Sequence, residues 1–208
     1  MSRLRVVPIV EGQGEDNSVR ALLERVWYEL WGGEYIEVLK ALRGKRLKLV
    51  NEQELERALD LAVSKLRIKH SDDPTMVLIL LDADSDLPCI LGPQLLAHAR
   101  DLRSDADIAC VIANVEYETW FVAAAESLTA FMDLARGPAV PEDPERTHQR
   151  KKWVQDRFRG IRYKPAADQP RMTQAMDLTL CRKRSPSFDK LCRELEARLE
   201  RSTHDHPS

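Results

Sequence analysis

Thr75-Met76-Val77-Leu78-Ile79-Leu80-Leu81-Asp82-Ala83-Asp84-Ser85-Asp86 decides how the rest of the chain is read. Met76 to Leu81 is apolar without interruption, β-branched Thr75 leads into it, and Asp72-Asp73-Pro74 bounds it upstream. A short apolar run behind a turn signal reads as a strand buried on both faces, the habit of central strands in parallel sheets. The run ends in acids at every second position, Asp82, Asp84 and Asp86. In an open α/β sheet, ligands collect outside the carboxyl ends of the strands. Three like charges so close repel one another unless positive charge sits among them, and a divalent cation is its simplest source. A solvated turn after a strand is the competing reading.

Outward from this strand, apolar runs and helical periods alternate. Upstream, Leu4 to Val10 reads as a strand that breaks into Glu11-Gly12-Gln13-Gly14-Glu15. A helix is expected from Asn17 or Ser18, both good N-caps, with Val19, Leu22, Leu23, Val26 and Leu30 at helical spacing. A dinucleotide fingerprint fails here, because Asn17 occupies its third glycine position. Tyr35 to Leu39 reads as a second strand, followed by the basic cluster Arg43, Lys45, Arg46 and Lys48. Asn51 and Glu54 form a capping pair for a helix whose apolar face is Leu55, Leu59, Ala62, Val63 and Leu66.

Downstream, Pro88 restarts the chain, and Leu91, Leu95, Ala99 and Leu102 keep helical spacing. Ile108 to Ala113 is a further buried strand, followed by Glu116 and Glu118 and an apolar helix expected over Trp120 to Met132. Beyond that the chain reads as helical and basic, through Gln149 to Phe158, a segment around Met172, Met176 and Leu180, and a last helix capped by Ser185-Pro186-Ser187. Trp120 and Tyr117 read as core residues rather than base-stacking ones. The alternation through residue 113 implies an α/β fold, with a mostly parallel sheet of about four strands flanked by helices. The expected division is 1–135 as an α/β domain, 136–147 as a proline-rich linker, and 148–208 as a basic helical extension that packs on it.

Of the 208 residues, 43% are hydrophobic and 32% charged, which fits a globular chain and excludes a disordered one. The apolar runs are too short to span a membrane and the N-terminus lacks a leader pattern, so a cytoplasmic protein is expected. Cys89, Cys110, Cys181 and Cys192 are spaced for neither zinc nor a disulfide framework. His204 and His206 sit in the tail, too close to the end to serve as a metal site. The net charge of −2 hides an asymmetry: residues 146–201 hold 16 Lys and Arg against 7 Asp and Glu, +9, which leaves −11 elsewhere. An acidic front suits a carboxylate metal site, and a basic tail suits a polyanion such as nucleic acid.

Three strands thus end in acid: Glu11 with Glu15, then Asp82 and Asp84, then Glu116 and Glu118. Parallel strands put these ends on one sheet edge, and Asp82 and Asp84 share a face if strand geometry persists. So many carboxylates without nearby basic partners favour Mg²⁺ or Mn²⁺. A calcium loop fails, since Leu87 stands at its glycine position and Pro93 at its glutamate position.

The order of motifs resembles a known family. A glutamate and glycine after the first strand, then Asp-x-Asp after a later hydrophobic strand, is the Toprim pattern of topoisomerases, primases and nucleases of the overcoming-lysogenization-defect type. Val10-Glu11-Gly12 with Glu15, Leu81-Asp82-Ala83-Asp84, Glu116 to Trp120, Tyr163-Lys164-Pro165 and Ser185 to Phe188 together resemble an uncharacterised bacterial Toprim-like family, domain of unknown function 4276. The resemblance runs from Val6 to about Leu195 and implies a Rossmann-type sheet and a nuclease site. It implies Glu11 as acid or base at the scissile phosphate, Asp82 and Asp84 on a first metal, Glu15, Glu116 and Glu118 at a second, and Lys164 against a phosphate. The chemistry implied is two-metal phosphodiester hydrolysis with Mg²⁺ or Mn²⁺. Nucleic acid, DNA ahead of RNA, and an ATPase encoded beside members of the family are the implied partners, in anti-phage defence; self-association into a homo-oligomer is a further option. Two other functions stay open: a non-catalytic metal-binding subunit of an ATPase complex, and a nucleotide phosphohydrolase using Asp82 and Asp84.

Overall fold

The computed structural model describes residues 3–44, 51–68, 73–146 and 149–204, with side chains placed up to Arg201. Lys45, Arg46 and Lys48 of the basic cluster, His206, and the side chain of His204 lie outside the described residues. In chain order the main elements are β1 (Arg3–Val10), α1 (Gln13–Arg25), β2 (Tyr35–Val38), β3 (Leu42–Arg43), α2 (Glu52–Arg67), β4 (Thr75–Asp82), α3 (Pro88–Leu102), β5 (Ile108–Ala113), α4 (Glu118–Ala123), α5 (Arg150–Arg157), α6 (Pro165–Ala175), α7 (Leu178–Arg184) and α8 (Pro186–His204).

The sheet is parallel throughout, in the order β2-β1-β4-β5, with the short β3 continuing the outer pairing of β1. Strand alternation divides the core between two faces. Val6, Val10, Met76, Leu78, Leu80, Ala109 and Val111 point to one, where α1, α4 and the helices after residue 150 pack. Val7, Ile9, Val77, Ile79, Leu81, Cys110 and Ile112 point to the other, covered by the apolar stripes of α2 and α3. The chain leaves β1 for β2 on one side and later crosses to β4 on the other, so the strand order reverses between β1 and β4. Such a switch point opens a crevice at the carboxyl edge.

Residues on both sides of the 136–147 stretch share one buried cluster, in which Tyr117 and Trp120 meet Met172 and Phe188. Trp120 stacks edge-on against Phe188 with ring centroids 5.3 Å apart, and its indole N–H donates to Ser187 Oγ at 3.0 Å. α6 lies against α1: Asn17 Nδ2 donates to Ala166 C=O at 2.8 Å, and the Arg25 guanidinium donates to the carbonyls of Thr173 and Met176. No helix among the described residues is long and apolar enough to cross a membrane.

Three local expectations need correction. α1 begins at Gln13, not near Asn17, because both expected caps are used elsewhere: Ser18 Oγ donates back to Gly14 C=O at 2.7 Å, and Asn17 reaches α6. The helix expected over Trp120–Met132 stops at Ala123 and tightens into a 3₁₀ turn over Ala125–Leu128, where Ser127 Oγ captures the Ala124 carbonyl. The Met172–Leu180 segment is two helices, since Met176 is extended and Asp177 caps a new start by accepting from Leu180 N–H at 2.8 Å. Asn51 caps α2 as expected, but its partner is Gln53 N–H, while Glu54 bonds Arg57.

Candidate metal-binding edge

Glu11 follows β1 directly, and Glu15 lies in the first turn of α1. Gly12, the N-cap between them, leaves room for the Glu15 carboxylate, because a Cβ there would stand 2.2 Å from Glu15 Oε2. At Gly14 the constraint is tighter. A Cβ would stand 1.7 Å from Oε1 of the fully buried Gln169 on α6, so any side chain here would displace the Gln169 amide. Gln169 Nε2 in turn donates to Glu15 Oε1 at 3.4 Å.

Asp82 is the last residue of β4, partly buried between the ends of β1 and β5. Burial raises its pKa well above the ordinary carboxylate range, and the charges of Glu15, Glu118, Glu11 and Glu116 raise it further. Four carboxylates from two other strand ends, Glu11 and Glu15 after β1 and Glu116 and Glu118 after β5, therefore crowd the field of the fifth. Among the described residues no hydrogen-bond donor or ion pair meets the Asp82 side chain. Asp84 is placed differently from expectation. Strand geometry ends at Asp82; Asp84 is exposed on the turn in left-handed backbone (φ 50°), its N–H donating to the Val115 carbonyl at 2.8 Å. Val115, after β5, is also left-handed (φ 62°), a costly conformation for a β-branched residue. The two strained turns brace each other at the mouth of the switch point.

Glu118 opens α4 and is almost fully buried; burial moves its pKa up to about 7, opposed by Lys151 and reinforced by Glu116. Tyr163 O–H donates to Glu118 Oε1 at 3.1 Å. Lys151, near the start of α5, is the cation that the sequence reading missed and corrects the expectation of carboxylates without basic partners. Its Nζ stands 3.7 Å from Glu118 and 3.8 Å from Glu116, and its backbone N–H donates to Glu116 Oε1 at 2.5 Å. Burial works against the lysine's charge, but Glu118, Glu116, Asp82 and Glu15 outweigh it and raise its pKa. The only trace of it in the sequence is the local basic excess after residue 146, which does not single it out.

Lys164 lies elsewhere. Its backbone N–H donates to Asp168 at 2.7 Å, and the residue lines a hollow of about 550 Å³ with Phe131, Phe158, Arg159, Arg162 and Arg171. A second hollow of about 410 Å³, between Lys151, Lys152, Arg162 and Tyr163, lies beside the carboxylates and shares Arg162 with the first. A basic trough thus leads to the acidic edge.

The donor set suits a hard cation, since such ions take carboxylate oxygens. Among the described residues, however, no three carboxylate, imidazole or thiol side chains converge closely enough to hold one ion. The arrangement is a crowded acidic rim with a lysine across part of it, rather than a closed coordination shell.

These features define an α/β protein with an acidic carboxyl edge at its switch point. The family model described as Domain of unknown function (DUF4276) matches residues 10–196, and the chain belongs to that family. A search of the curated proteins and a search of the solved structures each gave no match.

Proposed function

We propose that the chain is a Toprim-related, metal-dependent nuclease that hydrolyses DNA or RNA phosphodiesters. The observation that carries this reading is the gathering of Glu11, Glu15, Glu116 and Glu118 around the partly buried Asp82, whose pKa burial raises and these like charges raise further. An edge of this kind accepts a divalent cation readily, and perturbed carboxylates in a crevice mark functional sites. Asp82 with Glu11 and Glu15, and Glu116 with Glu118, would have to close further on Mg²⁺ or Mn²⁺ than they stand here, and the ion would supply activated water and neutralise phosphate charge. Asp84, on the exposed turn, is not among the groups that act on Asp82.

The protein's own groups do the rest. Tyr163 fixes the Glu118 carboxyl through its hydroxyl, and Gln169 orients Glu15. Lys151 neutralises Glu116 and Glu118 and stands where a phosphate would approach. Arg162, Lys164, Arg159 and Arg171 line the trough along which a phosphate backbone would run. In this reading the protein acts in the cytoplasm, as the effector of a defence system with an ATPase partner.

The test is cleavage of plasmid and single-stranded substrates in Mg²⁺ or Mn²⁺ by the wild type, Asp82→Ala and Glu11→Ala. Metal-dependent cleavage lost in both variants is expected; undiminished cleavage in either overturns the assignment. A second reading, a non-catalytic acidic subunit of an ATPase complex, draws on the lack of a closed coordination shell. It predicts a stable complex with the ATPase and no cleavage from the assembled pair.

A further inference from the structure

The position between Glu116 and Glu118 already holds a cation of the protein's own. Lys151, the second residue of α5, engages both oxygens of Glu116: its backbone N–H donates to Oε1 at 2.5 Å, and its Nζ stands 3.8 Å from Oε2. The same Nζ stands 3.7 Å from Oε1 of Glu118, which also accepts the Tyr163 hydroxyl at 3.1 Å. Of the oxygens on these two carboxylates, at most Oε2 of Glu118 is left without a donor or cation from another residue. The lysine stem also starts from a fixed place. Trp153 and Val154 anchor α5 in the core, and Arg150, 5% exposed and itself in the field of Glu116, donates to the Glu145 carbonyl.

The position around Asp82 differs. The Asp82 side chain meets no hydrogen-bond donor or ion pair among the described residues, and Glu15 takes the neutral amide of Gln169 at 3.4 Å. Mg²⁺ takes oxygens at about 2.0–2.1 Å, so an ion at either position must draw the carboxylates in. At Asp82 and Glu15 that displaces one long amide contact. At Glu116 and Glu118 it breaks two hydrogen bonds and expels an ammonium from between the same two side chains.

We propose that the Lys151 ammonium takes the place of a second metal ion, so that the edge binds one Mg²⁺ or Mn²⁺ per chain, at Asp82, Glu11 and Glu15. This rests on the reading of the edge as a metal site and narrows its two positions to one. The ammonium brings to the phosphate the positive charge that a second ion would otherwise supply, at the end of the hollow it shares with Lys152 and Arg162.

The test titrates Mn²⁺ into the full chain without nucleic acid and counts bound ions by electron paramagnetic resonance. The wild type is expected to saturate at one ion per chain, with no magnetic coupling. Lys151→Met removes the charge and keeps an unbranched stem; it should take up a second ion about 4 Å from the first, seen as line broadening through Mn–Mn coupling. A lysine that is merely nearby would change the affinity for the first ion and leave the count as it was. Lys151→Arg should return the count to one, and Glu118→Gln added to Lys151→Met should lose the second ion. A wild type with two coupled ions overturns the inference and leaves the metal site standing. A Lys151→Met chain with native circular dichroism and still one ion overturns it as well. No bound ion in either chain overturns the metal reading itself, and the inference with it.

Discussion

At the amino ends of the strands buried charges come in matched pairs, whereas at the carboxyl ends Asp82 and Glu118 lie in the field of other carboxylates, with Lys151 against Glu116 and Glu118. Arg5, 2% exposed, holds Glu37 at 2.8 Å and donates to the Leu66 carbonyl at 2.7 Å. Arg198 holds Asp107 at 2.6 Å. Before β5, Arg103 and then Arg67 hold Asp105 well below the ordinary carboxylate range. At this end charge fixes helices to strands. At the other end burial and like charge push Asp82 and Glu118 upward, which costs stability that the rest of the fold must offset. Charge matched to its partners is structural, and the like charge gathered at the switch point is what the proposed metal reading rests on.

Neutralising one charge at each end should therefore have opposite effects. The largest is expected for Asp82→Asn, with metal-dependent cleavage falling by more than about 100-fold, beyond the 10–100-fold typical of outer-shell partners. Chemical denaturation of the metal-free variant at pH 8 should show it at least as stable as the wild type. Arg5→Ala, at the paired end, should cost about 1–3 kcal/mol in urea unfolding, since the buried Leu66 carbonyl loses its donor and Glu37 one of its hydrogen bonds. Equal stability losses in the two variants would break the comparison.

Glu118 sharpens it through pH. Its carboxyl titrates near 7 in the folded chain against 4.5 ordinarily, so the folded state holds the proton to higher pH than the unfolded one. The Glu118 contribution to metal-free stability should then fall as pH rises from about 4.5 to about 7, by up to about 3 kcal/mol, on top of a fall of the same sign from Asp82. Glu118→Gln should make the overall slope shallower, leaving the part due to Asp82, and should exceed the wild type at pH 8. The smallest effect is expected for Lys164→Ala, which should change stability by less than about 0.5 kcal/mol. Its mark would be a salt slope for nucleic-acid binding lower by about one, read by fluorescence polarisation.

Much of the scaffold was legible because it depends on short-range pattern. Thr75 to Leu81 and Ile108 to Ala113 are apolar runs that suit a strand covered on both faces; the first is a central strand and the second is the edge strand β5, with helices over both of its faces. The helical spacing of Leu55, Leu59, Val63 and Leu66 placed α2 on its face. Helix ends were less legible. Ser18 and Asn17 have the side chains of caps, but a nearby carbonyl and a helix some 150 residues on claim them first. At the acidic edge, Glu11, Glu15, Asp82, Glu116 and Glu118 were all readable as acids after strands. Asp84 was not placed correctly, because alternation stops where the backbone turns left-handed.

The sequence by itself determined a parallel α/β sheet and the side of it on which the acids gather, since apolar runs, helical periods and strand polarity are local properties of the chain. Only the tertiary structure decided which charges meet. Lys151 and Tyr163 reach Glu118 across 33 and 45 residues, and Gln169 reaches Glu15 across 154. No spacing rule spans such distances, because the packing of α5 and α6 on the core sets these contacts.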